Sequence, residues 1–184
     1  MTLDEDNARA LARRMREAHI LRIDEMPRIE LYLDQVLTLV SQSLSFMTPP
    51  GEELLTGSMV NNYVKQRVVP APQRRRYTRR HVATLTFVCA FKCVFSINEI
   101  KALYEACVDR GVNVASAYDG LAGALEDALA RRFDAEEPLV TPSVPLVGAS
   151  GAEVAPDLAR IMGAGVEAVA DKVFVEQSLS LLRR

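Results

Sequence analysis

Asn61, Asn62 and Lys65 share one edge of a short helical stretch with Ser58, and Met59, Val60, Tyr63 and Val64 share the opposite edge. The two edges suit different partners. A carboxamide can donate and accept side by side to adenine in the major groove of DNA, and an ammonium can meet guanine or a phosphate. Adjacent asparagines are poor helix formers, each costing roughly a few tenths of a kcal/mol against Ala, so helix stability does not account for them. Arg67 follows directly. Further on, Gln73–His81 packs five arginines (Arg74, Arg75, Arg76, Arg79 and Arg80) around Tyr77 and Thr78. Arg79 and Arg80 fall where the next helix is expected to begin, and cations there oppose the helix dipole. An external polyanion would offset that cost, and the amides of a helix N-terminus can hold a phosphate. Ser58, Asn61, Asn62, Lys65, Arg67, Arg74, Arg75, Arg76, Tyr77, Arg79 and Arg80 are therefore the candidate contacts to double-stranded DNA.

Other chemistry-bearing residues point to less. His19 and His81 are the only histidines, and neither has a Ser, Cys or acid beside it that suggests a triad. His81 is expected at the surface or on a phosphate. Cys89 and Cys93 stand one helical turn apart, with Cys107 further on, a spacing outside the usual zinc patterns. All three are expected as buried thiols. Gly163-Ala164-Gly165 follows no strand and reads as a close helix contact rather than a dinucleotide loop. Glu136-Glu137 lies in a proline-rich stretch and reads as solvated. No catalytic residue, metal or cofactor is expected, and the chain is not read as an enzyme.

The elements that must position these residues are helical throughout. Apolar residues make up 49% of the 184 residues and charged residues 25%, enough for a real core, which without Trp must be mostly aliphatic. Thr2 and Glu5 have capping-box spacing ahead of a helix over 4–20, whose apolar face (Ala8, Leu11, Met15) is thin. A second helix is expected from Pro27 to Leu44, and a third from Gly57 to Arg67 with Thr56 as N-cap. The next starts after Thr78 and is apolar nearly all round from Phe87, as a buried helix would be. Ser96 and Glu99 cap a fifth that ends near Gly111. Longer helices are expected over 114–132 and 155–182, joined by a linker holding Pro138, Pro142 and Pro145. Two parts are drawn from this: residues 1–111 with the basic segment, and residues 112–184 as a helical region suited to dimerisation.

The net charge of −2 conceals a strong asymmetry. Eight cations and no carboxylate lie between Leu54 and Asn98, so the remainder carries a net −10. Such segregation draws polyanions to one segment. Met1–Asn7 is acidic and lacks the basic start and apolar stretch of a secretory signal. No uncharged apolar run reaches the roughly 18 residues that span a bilayer. The expectation is a cytoplasmic protein without membrane contact.

Residues Thr56–Leu103 resemble the DNA-binding region of MerR-type regulators. Val60–Tyr63 followed by Val68-Val69-Pro70 is similar to their recognition helix and its leucine-leucine-proline exit. Tyr77-Thr78 with Val82, Leu85, Phe87 and Val88 resembles the start of their next helix. Phe95-Ser96-Ile97-Asn98-Glu99-Ile100 resembles their phenylalanine-serine-leucine-glutamate-glutamate-isoleucine segment. With Ile29–Gln35 included, the whole looks closest to a bacterial family of domains of unknown function that carries a MerR-like helix-turn-helix. The resemblance implies an all-α fold: a winged helix-turn-helix core with additional C-terminal helices, acting as a DNA-binding transcriptional regulator and a homodimer. Asn61 and Asn62 replace the arginine and tyrosine usual in MerR proteins, and only Pro70–Arg76 remains for the wing, which is short or absent. The alternative is an adaptor whose basic segment binds an acidic protein partner.

Overall fold

A computed structural model describes residues 5–49, 51–133, 144–153 and 155–182. They form seven α-helices in the order α1 (Glu5–Arg16), α2 (Leu33–Ser43), α3 (Gly57–Lys65), α4 (Arg79–Phe91), α5 (Ile97–Asp109), α6 (Val114–Arg132) and α7 (Pro156–Leu182), with a 3-10 turn at Ser45–Met47. Among the described residues β-pairing is limited to isolated bridges. The all-α expectation therefore holds. The capping box at Thr2 and the prolines at 138 and 142 lie outside the described residues.

Helix boundaries follow the capping chemistry. The Thr56 hydroxyl accepts the Met59 amide at 3.2 Å, and the Ser96 hydroxyl accepts the Glu99 amide at 3.3 Å. Glu99 reaches back to the Ser96 amide at 2.7 Å, and those Ser96 bonds hold its carboxyl below the ordinary range. Asn113 caps α6 through the amides of Ala115 and Ser116. Gly111 ends α5 at φ +69°, a left-handed conformation that glycine adopts without steric cost.

Two boundaries depart from the sequence reading. α2 begins at Leu33, not Pro27, because Leu31 pairs with Tyr77 instead of entering the helix. Its amide donates to the Tyr77 carbonyl at 2.8 Å and its carbonyl accepts from Tyr77 at 2.9 Å. α1 stops at Arg16, short of Ile20, because residues 20–23 are drawn straight by α6. The Glu126 carboxylate accepts the Ile20 amide at 2.6 Å and takes both ends of the Arg22 guanidinium. Tyr118 donates its hydroxyl to the Leu21 carbonyl at 2.8 Å, and Asp119 accepts the Ile23 amide at 2.9 Å. Buried backbone groups must find partners, and here side chains supply them in place of a helix ladder.

α4 is central, with ten of its thirteen residues buried, as its all-round apolar pattern requires. α2 packs on α3 and α4, α1 on α6, and α6 on α7. The thin face of α1 is thus used within the chain, and Met15 is wholly buried. Leu121, Leu125 and Leu129 of α6 meet an α7 seam of Met162, Val166, Val169 and Val173, and one core cluster holds them all. The apolar seam of the C-terminal helices, expected to serve a dimer, is filled by the chain itself. Gly165 permits a close approach of α7: a Cβ there would stand 3.0 Å from the Phe95 ring and 3.2 Å from Phe91. Between Val144 and Glu153 the linker is held by the Asn113 amide donating to the Val147 carbonyl at 2.8 Å.

Candidate nucleic-acid interface

α3 divides as its sequence requires. Val60 and Tyr63 are buried, Met59 and Val64 pack against the core, and burial pushes the Tyr63 hydroxyl up to about 12. On the other edge Ser58, Asn61, Asn62 and Lys65 are all exposed. The helix ends in a Schellman motif, in which the Arg67 amide donates to Val64 and the Val68 amide to Tyr63, both at 3.0 Å. That geometry puts its closing residue at positive φ, usually as glycine. Here the residue is Arg67, at φ +58° and exposed. A cation is thereby placed at the negative end of the helix dipole.

The chain then runs through Pro70 and Pro72 into a turn closed by the Arg76 amide on the Gln73 carbonyl at 2.8 Å. Its two central residues, Arg74 and Arg75, have φ +49° and +60°. Positive φ at both positions is the signature of a type I′ hairpin turn, which prefers Asn-Gly. Arginine in the left-handed region costs roughly 1 kcal/mol or more per residue. Two exposed guanidiniums are thus presented at the tip of the tightest available turn.

The remaining arginines are tethered, and their tethers are neutral. Arg76 stacks on the Tyr32 ring, 3.6 Å from its centroid, and donates to the Tyr32 hydroxyl. Arg79 donates to the Ile23 carbonyl at 3.2 Å, and Arg80 donates to the Tyr104 hydroxyl. Among the described residues no carboxylate pairs with any of the five, although carboxylates elsewhere pair with Arg22, Arg131 and Arg132. Among the described residues the positive charge of these five arginines thus has no carboxylate partner.

Two residues stand differently from their expected places. Tyr77 is buried, with its ring edge-on to His81, so it anchors the turn instead of meeting a ligand. His81 is not at the surface. It is buried, and its Nδ1 accepts the Thr78 amide at 3.0 Å, completing the cap of α4. Burial, chiefly, holds its pKa below the ordinary value, with Arg80 adding to the effect and the Ala71 backbone opposing it. The third position of a capping box usually carries Glu or Gln, so His81 escaped sequence reasoning. Cys89 and Cys107 are buried free thiols as expected, whereas Cys93, just past the end of α4, is only half-buried. Burial pushes the Cys89 thiol up to about 11, far from a reactive thiolate. Among the described residues no group of His, Cys, Asp and Glu is arranged to hold a metal ion, and no helix is long and apolar enough to cross a membrane.

The model of one family, described as domain of unknown function DUF1836, matches residues 21–121. The chain belongs to this family. The DUF1836 match takes in the Leu31–Tyr77 pair, α2 to α5, the arginine turn and the first turns of α6. No curated protein and no solved structure matches the chain.

Sequence reasoning missed a cavity of about 610 Å³ behind the arginines. It lies where the start of α4 meets α5, α6 and the segment before α2. Its walls come from residues scattered between Ile23 and Met162, so no local motif could have announced it.

Proposed function

We propose that this DUF1836 chain is a DNA-binding regulator of transcription built on a MerR-like helix-turn-helix. In this reading α3 enters the major groove, and Asn61, Asn62 and Lys65 meet base edges with Ser58 beside them. Arg67, Arg74 and Arg75 hold phosphates, the last two from the turn that replaces a wing. Arg76, Arg79 and Arg80 contribute field from their tethered positions, and Tyr77 contributes only packing. The observation that carries the reading is the pairing of α3's exposed carboxamide edge with an arginine turn that lacks any carboxylate among the described residues. A cationic surface of that kind gains affinity from counterion release. Two copies reading paired half-sites would strengthen a single short helix. They would have to join outside the α6–α7 seam. Such a regulator works in the cytoplasm.

The test is anisotropy of labelled genomic duplexes at several salt concentrations. Replacing Arg74 and Arg75 together by Ala should flatten the slope of log K against log salt by about 0.9 for each phosphate that is no longer neutralised. Asn61→Ala should leave that slope alone and cost about 1–3 kcal/mol on a selected sequence. An unchanged slope in the double variant refutes the phosphate assignment. A second reading, an adaptor for an acidic protein, is favoured by the reduction of the wing to a four-residue turn. It predicts that an acidic polypeptide displaces DNA at equal charge, with Asn61→Ala silent toward both.

A further inference from the structure

The cavity behind the arginines combines an apolar floor with a cationic rim. Its floor is made by Ala83 and Phe87 of α4, Ala117 and Leu121 of α6, and Met162 of α7. The polar groups set among them are already engaged. Thr84 donates to the Arg80 carbonyl at 2.8 Å, Tyr118 donates to Leu21, and the Cys107 thiol lies 3.9 Å from the Met162 sulfur. The floor therefore offers a ligand little but hydrocarbon. Its rim carries Arg28, Arg79 and Arg80, with Glu30 as the sole carboxylate among the lining residues. Ile29, 70% exposed, adds an apolar lip. At about 610 Å³ the space falls within the range of small-molecule sites, roughly 300–1,000 Å³. Apolar walls with a few convergent polar groups are the usual make-up of such sites.

We propose that this cavity binds a small amphipathic carboxylate, its hydrocarbon body against the floor formed by α4, α6 and α7 and its anionic group on the arginine rim. The charge balance decides the class. A cationic ligand would face three guanidiniums, and a neutral one would leave them unused. Arg80 is set for the role because its tether to the Tyr104 hydroxyl fixes the guanidinium without neutralising it. A guanidinium offers a carboxylate two parallel donors, so the site should tell an acid from an alcohol of equal length. This inference does not depend on the nucleic-acid reading, since it concerns binding in the absence of DNA.

Calorimetric titration of the full chain with decanoate, 2-naphthoate and decan-1-ol tests it. At least one of the two acids should bind saturably at one site per chain. Decanoate, if it is the acid bound, should bind at least tenfold tighter than decan-1-ol. Arg80→Gln should weaken the acid at least tenfold and leave decan-1-ol unchanged. Ala115→Trp, at an exposed position on the rim and away from the packed floor, should block all three while the melting temperature stays in place. The proposal is overturned if neither acid binds saturably, if decanoate binds but decan-1-ol binds as tightly, if Arg80→Gln binds the acid as the unaltered chain does, or if Ala115→Trp does.

Discussion

Arg74 and Arg75 show how a single pair of residues can run against local preference. A turn with positive φ at both central positions is most stable as Asn-Gly, yet this chain places two exposed arginines there. Strain kept at a surface turn is a pointer to use, because nothing in the packing requires those side chains. Replacing Arg74 by Asn and Arg75 by Gly should raise stability by about 1 kcal/mol, read as a higher denaturant midpoint with unchanged slope. The same variant should bind polyanions less well. A variant of reduced stability would show that the arginines themselves hold the turn together. The arginine run itself was plain in the sequence. The φ signs were not, because arginine has no special liking for the left-handed region and the single Gln73–Arg76 bond that enforces it is visible only in three dimensions.

Helices were the most legible level. Thr56, Thr78, Ser96 and Gly111 each mark a terminus by local chemistry, and the structure starts α3, α4 and α5 and ends α5 where those signals put them. The misread ends, after Arg16 and before Leu33, are those decided by distant partners: Glu126 and Tyr118 in one case, Tyr77 in the other. His81 joins the two levels, since it caps α4 and is buried beside Tyr77. Its pKa in the folded chain lies below the ordinary 6.5, so the unfolded chain binds the extra proton more readily. The stability it contributes is complete above about pH 6.5 and is lost as pH falls toward the lowered folded value. Urea midpoints measured from pH 7.5 down to pH 5 should therefore fall more steeply for the unaltered chain than for His81→Gln. Gln at that position keeps an acceptor for the Thr78 amide and removes the titration. Parallel curves for the two proteins would rule His81 out as the group responsible.

Across the whole molecule the shared family segment and the folded body differ in extent. The family match ends at residue 121, inside α6, but the core continues through Leu125 and Leu129 into α7. A fragment of residues 21–121 would strip α7 from Phe91 and Phe95, which face Gly165, and would leave Arg22 without Glu126. Stability is a small difference between large terms, so losing that much apolar burial should be decisive. The fragment should show weak helical circular dichroism and no cooperative melt, whereas the full chain should melt in a single step. A cooperative melt of the fragment would mean that α6 and α7 are an appendage. This is also the level at which the sequence was least readable. Helical periodicity shows which edge of each helix is apolar but not which neighbour covers it, so the self-filled seam of α6 and α7 read equally well as a surface for a second copy.

The straightened segment at 20–23 has a consequence of its own. Five of the eight backbone hydrogen-bonding groups along those four residues are held by side chains from elsewhere: Ser43 from the end of α2, Tyr118, Asp119 and Glu126 from α6, and Arg79 from the start of α4. Only Arg22 is held locally, its amide donating to the Glu25 carboxylate, its carbonyl accepting the Glu25 and Met26 amides and its guanidinium holding the Ile20 carbonyl. The segment works as a knot in which three distant strings meet, and none of them can slacken without loosening the others. Early and late parts of the chain are thus joined through one stretch of backbone, and Arg79 takes its footing from the same residues that α6 holds.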